Sequence, residues 1–201
     1  GMLMGTWLDR PLTLAGRVVV RTPEGLASRP VYLDRDLLTI PSVAIHFDRG
    51  VNEGRKWDPQ VDLQPLYGEA GCRALPELLA EEAGAAPADI LTWDLCLAVR
   101  QKATRIGPDG AFFMSPRIDD LECAATTLLG FLESASQPDT AFVWGMLDNE
   151  EVGSSSRQGA EGTFLSDTLR RILHCLGQDA QDSWQIAANS LILSADNGHA
   201  L

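Results

Sequence analysis

Residues 141–151, Ala141-Phe142-Val143-Trp144-Gly145-Met146-Leu147-Asp148-Asn149-Glu150-Glu151, set a nearly unbroken apolar run directly before a cluster of acids. A strand covered on both faces has this composition, because neither face needs polar side chains. Upstream, Leu121, Ala124, Ala125, Leu128, Leu129 and Leu132 recur at the three-to-four spacing of a helix with one buried face, and Asp119 and Asp120 sit at its start. Downstream, Leu165, Leu169, Ile172, Leu173 and Leu176 repeat that spacing over residues 164–176. Residues 190–194 then read as a last strand, running into Ala195-Asp196-Asn197-Gly198-His199. Strands alternating with helices predict an α/β layer.

Ahead of the turn-like Gly107-Pro108-Asp109-Gly110 the pattern differs. Residues 17–21, 31–33, 37–47 and 90–99 are short runs rich in Val, Ile and Leu, punctuated by Gly, Pro and Asp. One helix is expected, over 75–83, with Leu75, Leu78 and Leu79 on one face. The expected fold class is therefore α/β in two domains, a β-rich one over 1–108 and an α/β sheet domain over 109–201.

Composition narrows the function. With 201 residues, 45% of them hydrophobic, the chain can bury an ordinary core. A formal charge of −12, from 28 acids against 16 bases, opposes any sequence-independent grip on nucleic acid or anionic lipid. No apolar run nears the roughly 20 residues that span a bilayer, and no secretory signal opens the chain. Cys72, Cys96, Cys123 and Cys175 stand singly, as reduced thiols do in the cytoplasm, where the protein is expected to be found.

Three segments of the second half share one design: an apolar strand or turn delivers carboxylates at its carboxyl end. Ligands of open α/β sheets bind beyond those ends, so Asp119, Glu150, Glu151 and Asp196 are expected to converge there. Carboxylates gathered in one place repel one another unless cations neutralise them, which points to bound metal, as a pair. Glu150 and Glu151, adjacent on an extended backbone, would face opposite ways, leaving one to bind metal and the other to take a proton from an activated water. Taken singly, each acid reads first as a solvated or helix-capping residue, and Asp119 or Asp120 would suit a helix start. Three such segments in succession favour the site. His46, His174 and His199 are the histidines; His174 falls within a helix pattern, and His46 ends an apolar run far in sequence from the acids.

Five stretches carry a resemblance along nearly the whole chain: Thr6-Trp7-Leu8-Asp9-Arg10-Pro11-Leu12-Thr13-Leu14-Ala15-Gly16-Arg17-Val18, Ile40-Pro41-Ser42-Val43-Ala44-Ile45-His46-Phe47, Met114-Ser115-Pro116-Arg117-Ile118-Asp119-Asp120-Leu121, Asp148-Asn149-Glu150-Glu151-Val152-Gly153-Ser154 and Ser194-Ala195-Asp196. In this order they resemble the aspartyl aminopeptidase family of metallopeptidases. The resemblance implies a two-metal exopeptidase, zinc-dependent with manganese or cobalt as alternatives, that removes an amino-terminal and often acidic residue from peptides. It implies assembly as a homodimer within larger dodecamers, with 1–108 as the dimerisation domain and 109–201 as part of the catalytic one. By the same resemblance Asp119 bridges the metals, Glu151 binds one and Asp196 the other, Glu150 is the general base, and His46 reaches the partner subunit's site.

Departures matter as well. Asp120 stands where the family has Asn, and Asn197-Gly198 replaces other residues. Two histidine ligands of the family fall in segments outside residues 1–201, along with part of the catalytic sheet. The expectation is then a partial site that binds metal weakly and turns over little by itself. The alternative is a non-catalytic assembly module with idle carboxylates. A phosphoester hydrolase is disfavoured by the scarcity of Arg and Lys around the acids.

Overall fold

The computed structural model describes residues 2–134 and 137–198. Its contacts separate two compact units, Leu3–Pro116 and a second from Arg117 onward. In the first unit β1 (Leu12–Thr22) is the central strand of an antiparallel sheet, flanked by β2 (Gly25–Tyr32) and β3 (Ile90–Val99) in the order β2-β1-β3. Thr22 pairs with Gly25 across a two-residue hairpin loop, and the Thr22 hydroxyl donates to the Gly25 carbonyl at 3.1 Å. Alternate residues of β1, namely Leu12, Leu14, Val18 and Val20, are buried on one face, as the two-residue period of a strand requires. Gly16 interrupts that series because β3 comes close there: a Cβ on it would lie 2.1 Å from the Asp94 carbonyl oxygen.

Two further helices belong to this unit. The short α1 (Pro59–Asp62) is capped by Asp58, and α2 (Leu75–Ala83) lays Leu78, Leu79 and Ala83 over the buried face of the sheet. Gly84, left-handed at φ 61°, ends α2 and returns its N–H to the carbonyls of Ala80 and Glu81. Arg29 of β2 donates to the carbonyls of Ala83 at 2.5 Å and Gly84 at 3.1 Å, placing a cation on the negative end of the helix. Thr13, the one buried polar residue among those described, satisfies its hydroxyl on the Leu33 carbonyl.

Several expectations change here. Residues 37–47 form no strand; Leu38, Thr39 and Ile40 make isolated bridges to Leu12, Leu66 and Leu8, and the chain then leaves the sheet. Pro41 has no N–H to offer, and that of Ser42 goes to the Asp9 carboxylate at 2.8 Å. Gly107-Pro108-Asp109-Gly110 is the loop of a hairpin, β4 (Thr104–Ile106) with β5 (Phe112–Met114), so the units part at Pro116 and not at the turn itself.

The second unit holds α3 (Ile118–Glu133), α4 (Phe164–Cys175) and α5 (Ala180–Ala188). The last has no strong apolar period; a reciprocal capping box between Asp179 and Asp182 starts it. Residues 141–147 and 190–194 take no place in a sheet among the described residues, and Leu191 and Leu193 are 94% and 85% exposed. The expected buried face of α3 is open too, since Leu121, Leu129 and Leu132 are exposed. Strand and helix patterns are present, but among the described residues of this unit they are covered only in part, as where Trp144 donates to the Thr127 hydroxyl at 3.0 Å. Every buried apolar side chain of the described core lies in the first unit. Among the described residues no helix is long and apolar enough to cross a membrane.

Truncating Leu79 to Ala is expected to cost roughly 2–5 kcal/mol in urea unfolding of the first unit, while Leu129→Ala, already in water, should stay within about 0.5 kcal/mol. Equal effects from the two would contradict this division of the core.

Candidate metal centre

The second unit begins with irregular backbone that aims its acids. Arg117 is left-handed at φ 62°, Asp119 is extended (φ −80°, ψ 112°), and the Asp119–Asp120 peptide is cis. Regular helix follows only after Asp120, so both aspartates stand in the kinked start of α3 instead of along its regular flank. The segment after residue 194 comes to the same place. Asn197 donates its side-chain N–H to Glu122 Oε2 at 3.0 Å, fastening the chain to the first turn of α3 and bringing Asp196 beside the aspartate pair.

Oxygen atoms of Asp119, Asp120 and Asp196 all lie within 4.8 Å of one another. Such proximity is costly for three anions. The Asp120 carboxyl is accordingly raised above the usual carboxylate range, first by burial and then by the charges of Asp196 and Asp119. Its Oδ1 is buried without a hydrogen-bond partner, as is Oδ1 of Asn197. Cys123, one helical turn on, has its thiol raised by burial and then by the same acids.

Glu150 and Glu151 follow Asn149, whose left-handed φ of 61° ends the extended chain. They occupy a turn, so the alternation expected of a strand does not separate them. Glu151 is instead the strongest influence on Glu150, whose carboxyl is pushed up by that charge, then by burial, then by Asp196, Asp119 and Asp120. That order places Glu150 within the field of all three aspartates. The turn is braced from behind: Asn149 donates to Gln158 Oε1 at 3.3 Å, and its carbonyl accepts the Gly153 N–H at 2.9 Å.

The structure thus brings together Asp119 and Asp196, sets Glu150 in the field of that cluster with Glu151 beside it, and adds Asp120, which the sequence offered as a helix-start residue. Direct adjacency to Asp119 was the signal for it. His46 stands apart, exposed in a turn of the first unit, where the Phe47 N–H meets the Ala44 carbonyl at 2.9 Å. His174 lies on the last turn of α4, and His199 is outside the described residues. No histidine enters the cluster among the described residues. The unpartnered Asp120 Oδ1 and the mutual spacing of the three carboxylates fit a divalent cation, which would remove the repulsion that hydrogen bonds leave in place.

Over residues 1–201 the sequence matches the family model described as Aminopeptidase I zinc metalloprotease (M18). The chain belongs to the M18 metallopeptidase family. It is similar to the probable M18 family aminopeptidase 2 of Clostridium acetobutylicum, at 37% identity over all of this chain and 48% of that protein. An aspartyl aminopeptidase of Dictyostelium discoideum is 33% identical over all of this chain and 51% of its own length. Among solved structures, that of the Ape4 and Nbr1 complex superposes with a TM-score of 0.75 at 35% identity, covering 87% of this M18 chain and 38% of that one. This M18 chain spans about half the length of the curated relatives it matches.

In metal-free buffer of low ionic strength, Asp120→Asn is expected to raise the melting temperature, because it removes one of three clustered charges. The gain should shrink in about 1 M salt, where the screening length falls to roughly 3 Å. An unchanged or lower melting temperature in dilute buffer would speak against repulsion as the dominant force there.

Proposed function

We propose that this chain supplies the carboxylate part of a two-metal aminopeptidase site, which removes an amino-terminal, preferentially acidic, residue from peptides. One observation carries this reading: in an M18 chain, Asp119, Asp120 and Asp196 meet within 4.8 Å, and Glu150 lies in their field. Asp119 would bridge two zinc ions, with manganese or cobalt as alternatives, Glu151 would hold one and Asp196 the other. When bound, such ions neutralise the acids and acidify a coordinated water.

Glu150 is suited to general-base work. Its carboxyl, raised above the usual carboxylate range by Glu151, burial and the aspartates, can accept a proton from water as the peptide carbonyl is attacked and return it to the departing amine. The following residues 152–156 are small and polar apart from Val152, which lets a peptide backbone come close. An acidic preference accords with the aspartyl aminopeptidase relative. In this reading the first unit forms a homodimer through the β-rich sheet, and His46 completes the partner subunit's site by steadying the reacting carbonyl. The unpaired cysteines Cys72, Cys96, Cys123 and Cys175 accord with a cytoplasmic location.

A second reading, an assembly module with idle carboxylates, is favoured by the placement of the whole buried core in the first unit. The two diverge in a titration. The donors gathered among the described residues are all oxygens, so calorimetry with Zn and Mn on this chain should show weak uptake that Asp119→Asn abolishes. Where an Asp- or Glu-linked chromogenic amide is hydrolysed, Glu150→Gln should lower turnover about 10²–10⁴-fold while leaving metal uptake in place. Absence of heat and of release together would sink the peptidase reading for this polypeptide and leave the assembly module.

A further inference from the structure

Most ion pairs of the molecule are surface contacts with at least one partner half exposed. One set differs. Arg55 engages two acids at once, Nη1 at 3.5 Å from Asp48 Oδ2 and Nη2 donating to Asp62 Oδ1 at 2.6 Å. Arg55, Asp48 and Asp62 are only 20%, 30% and 15% exposed. Withdrawal from water makes such pairs count where exposed ones contribute little. The guanidinium also lies over the Trp57 ring, 4.7 Å from its centroid, and a Cβ on Gly5 would meet that ring at 3.4 Å. Arg55 therefore links the loop after His46 to the first turn of the unit.

The far end of the linkage is equally fixed. Asp62 Oδ2 accepts the Asp58 N–H at 2.8 Å, and Asp58 Oδ1 caps α1 through the Gln60 N–H at 3.0 Å. These contacts hold the Asp62 carboxyl below the usual carboxylate range, the Asp58 N–H most of all. On the other side of His46, Asp9 does the matching work, accepting the Ser42 N–H at 2.8 Å and donating its own N–H to the Ile40 carbonyl at 2.9 Å. Between the two moorings the chain turns at His46. Val43, Ile45 and Phe47 point into water around it, Phe47 with 86% of its surface exposed.

We infer that Arg55 is a positioning residue: through Asp48 and Asp62 it fixes the loop that presents His46, among exposed apolar side chains, to a second copy of this chain. This rests on the reading of His46 given above. A planar fork that spans two carboxylates while stacking on an indole is a task for arginine, and lysine offers neither geometry. The apolar residues flanking His46 give the loop a surface to bury, and a loop already held in shape loses less entropy when it docks.

The test is amide hydrogen exchange on the full chain, comparing wild type with Arg55→Met and Arg55→Lys. The Phe47 and Val51 amides, bonded to the carbonyls of Ala44 and Asp48, should exchange about 10-fold faster or more in both variants, while Leu14 and Val18 of β1 keep their rates. Unchanged rates at Phe47 and Val51, acceleration spread evenly over β1, or rescue by Arg55→Lys would each overturn the assignment. His46→Ala separates this from the reading beneath it. If that change leaves hydrolysis of an Asp-linked amide untouched, the partner-site role of His46 fails, whereas the exchange rates still decide whether Arg55 holds the loop. Where both are right, adding Arg55→Met to His46→Ala lowers turnover no further.

Discussion

Burial of one stripe of β1 beneath α2 is the interaction on which the ordered part of the chain depends. Leu12, Leu14, Val18 and Val20 on the strand meet Leu78, Leu79 and Ala83 on the helix, and Val31, Leu33 and Ile40 close the sides. Each large side chain so buried contributes roughly 1.5–3 kcal/mol of transfer free energy before ordering costs are set against it. Polar devices then tune this packing: Arg29 ties the end of α2 to β2, and Thr13 spends its hydroxyl on the Leu33 carbonyl. The second unit has no such stripe under cover, so its local order comes from hydrogen bonds, caps and the helices' own backbone.

The acids of that second unit are held by backbone, not by packing. Irregular geometry ahead of α3, a left-handed Asn149 and the Asn197–Glu122 hydrogen bond each turn one carboxylate-bearing segment toward the others. Convergence of like charges is destabilising by itself, and the raised carboxyls of Asp120 and Glu150 are its mark. On the metal-site reading proposed above, a chain that keeps this arrangement trades some stability for a readiness to take up cations.

What could be read in the sequence follows the same physics. Residues 90–99 were legible as a run rich in Ile, Leu and Val that pairs with β1, and 75–83 because helical spacing there reports a face that the chain itself buries. Residues 141–147 and 190–194 carry equally strong apolar signals, yet a strand exists only by pairing, and no pairing partner stands among the described residues. Helix α5 escaped because its start is set by the Asp179–Asp182 capping box and not by apolar period. Asp119 and Asp196 were legible as strand-end and turn acids; Asp120 was legible only as Asp119's neighbour, since its place in the cluster comes from a local backbone bend that composition does not encode.

Exposed apolar residues in the second unit bear on how the chain is made. At about 5–20 residues per second, the span from β1 through β2 and α2 to β3 takes some 4–18 seconds to synthesise, and the first unit can then close while later residues are still being translated. Residues 190–194 follow well after that unit is complete, and Leu191-Ile192-Leu193 meets solvent with neither face covered among the described residues. A short, uncharged, β-prone run in that position is the kind that finds its like in other chains. Where that run is left bare, pairing with its like in another chain is the competing fate, and a covering strand or a chaperone that binds extended apolar segments would remove it.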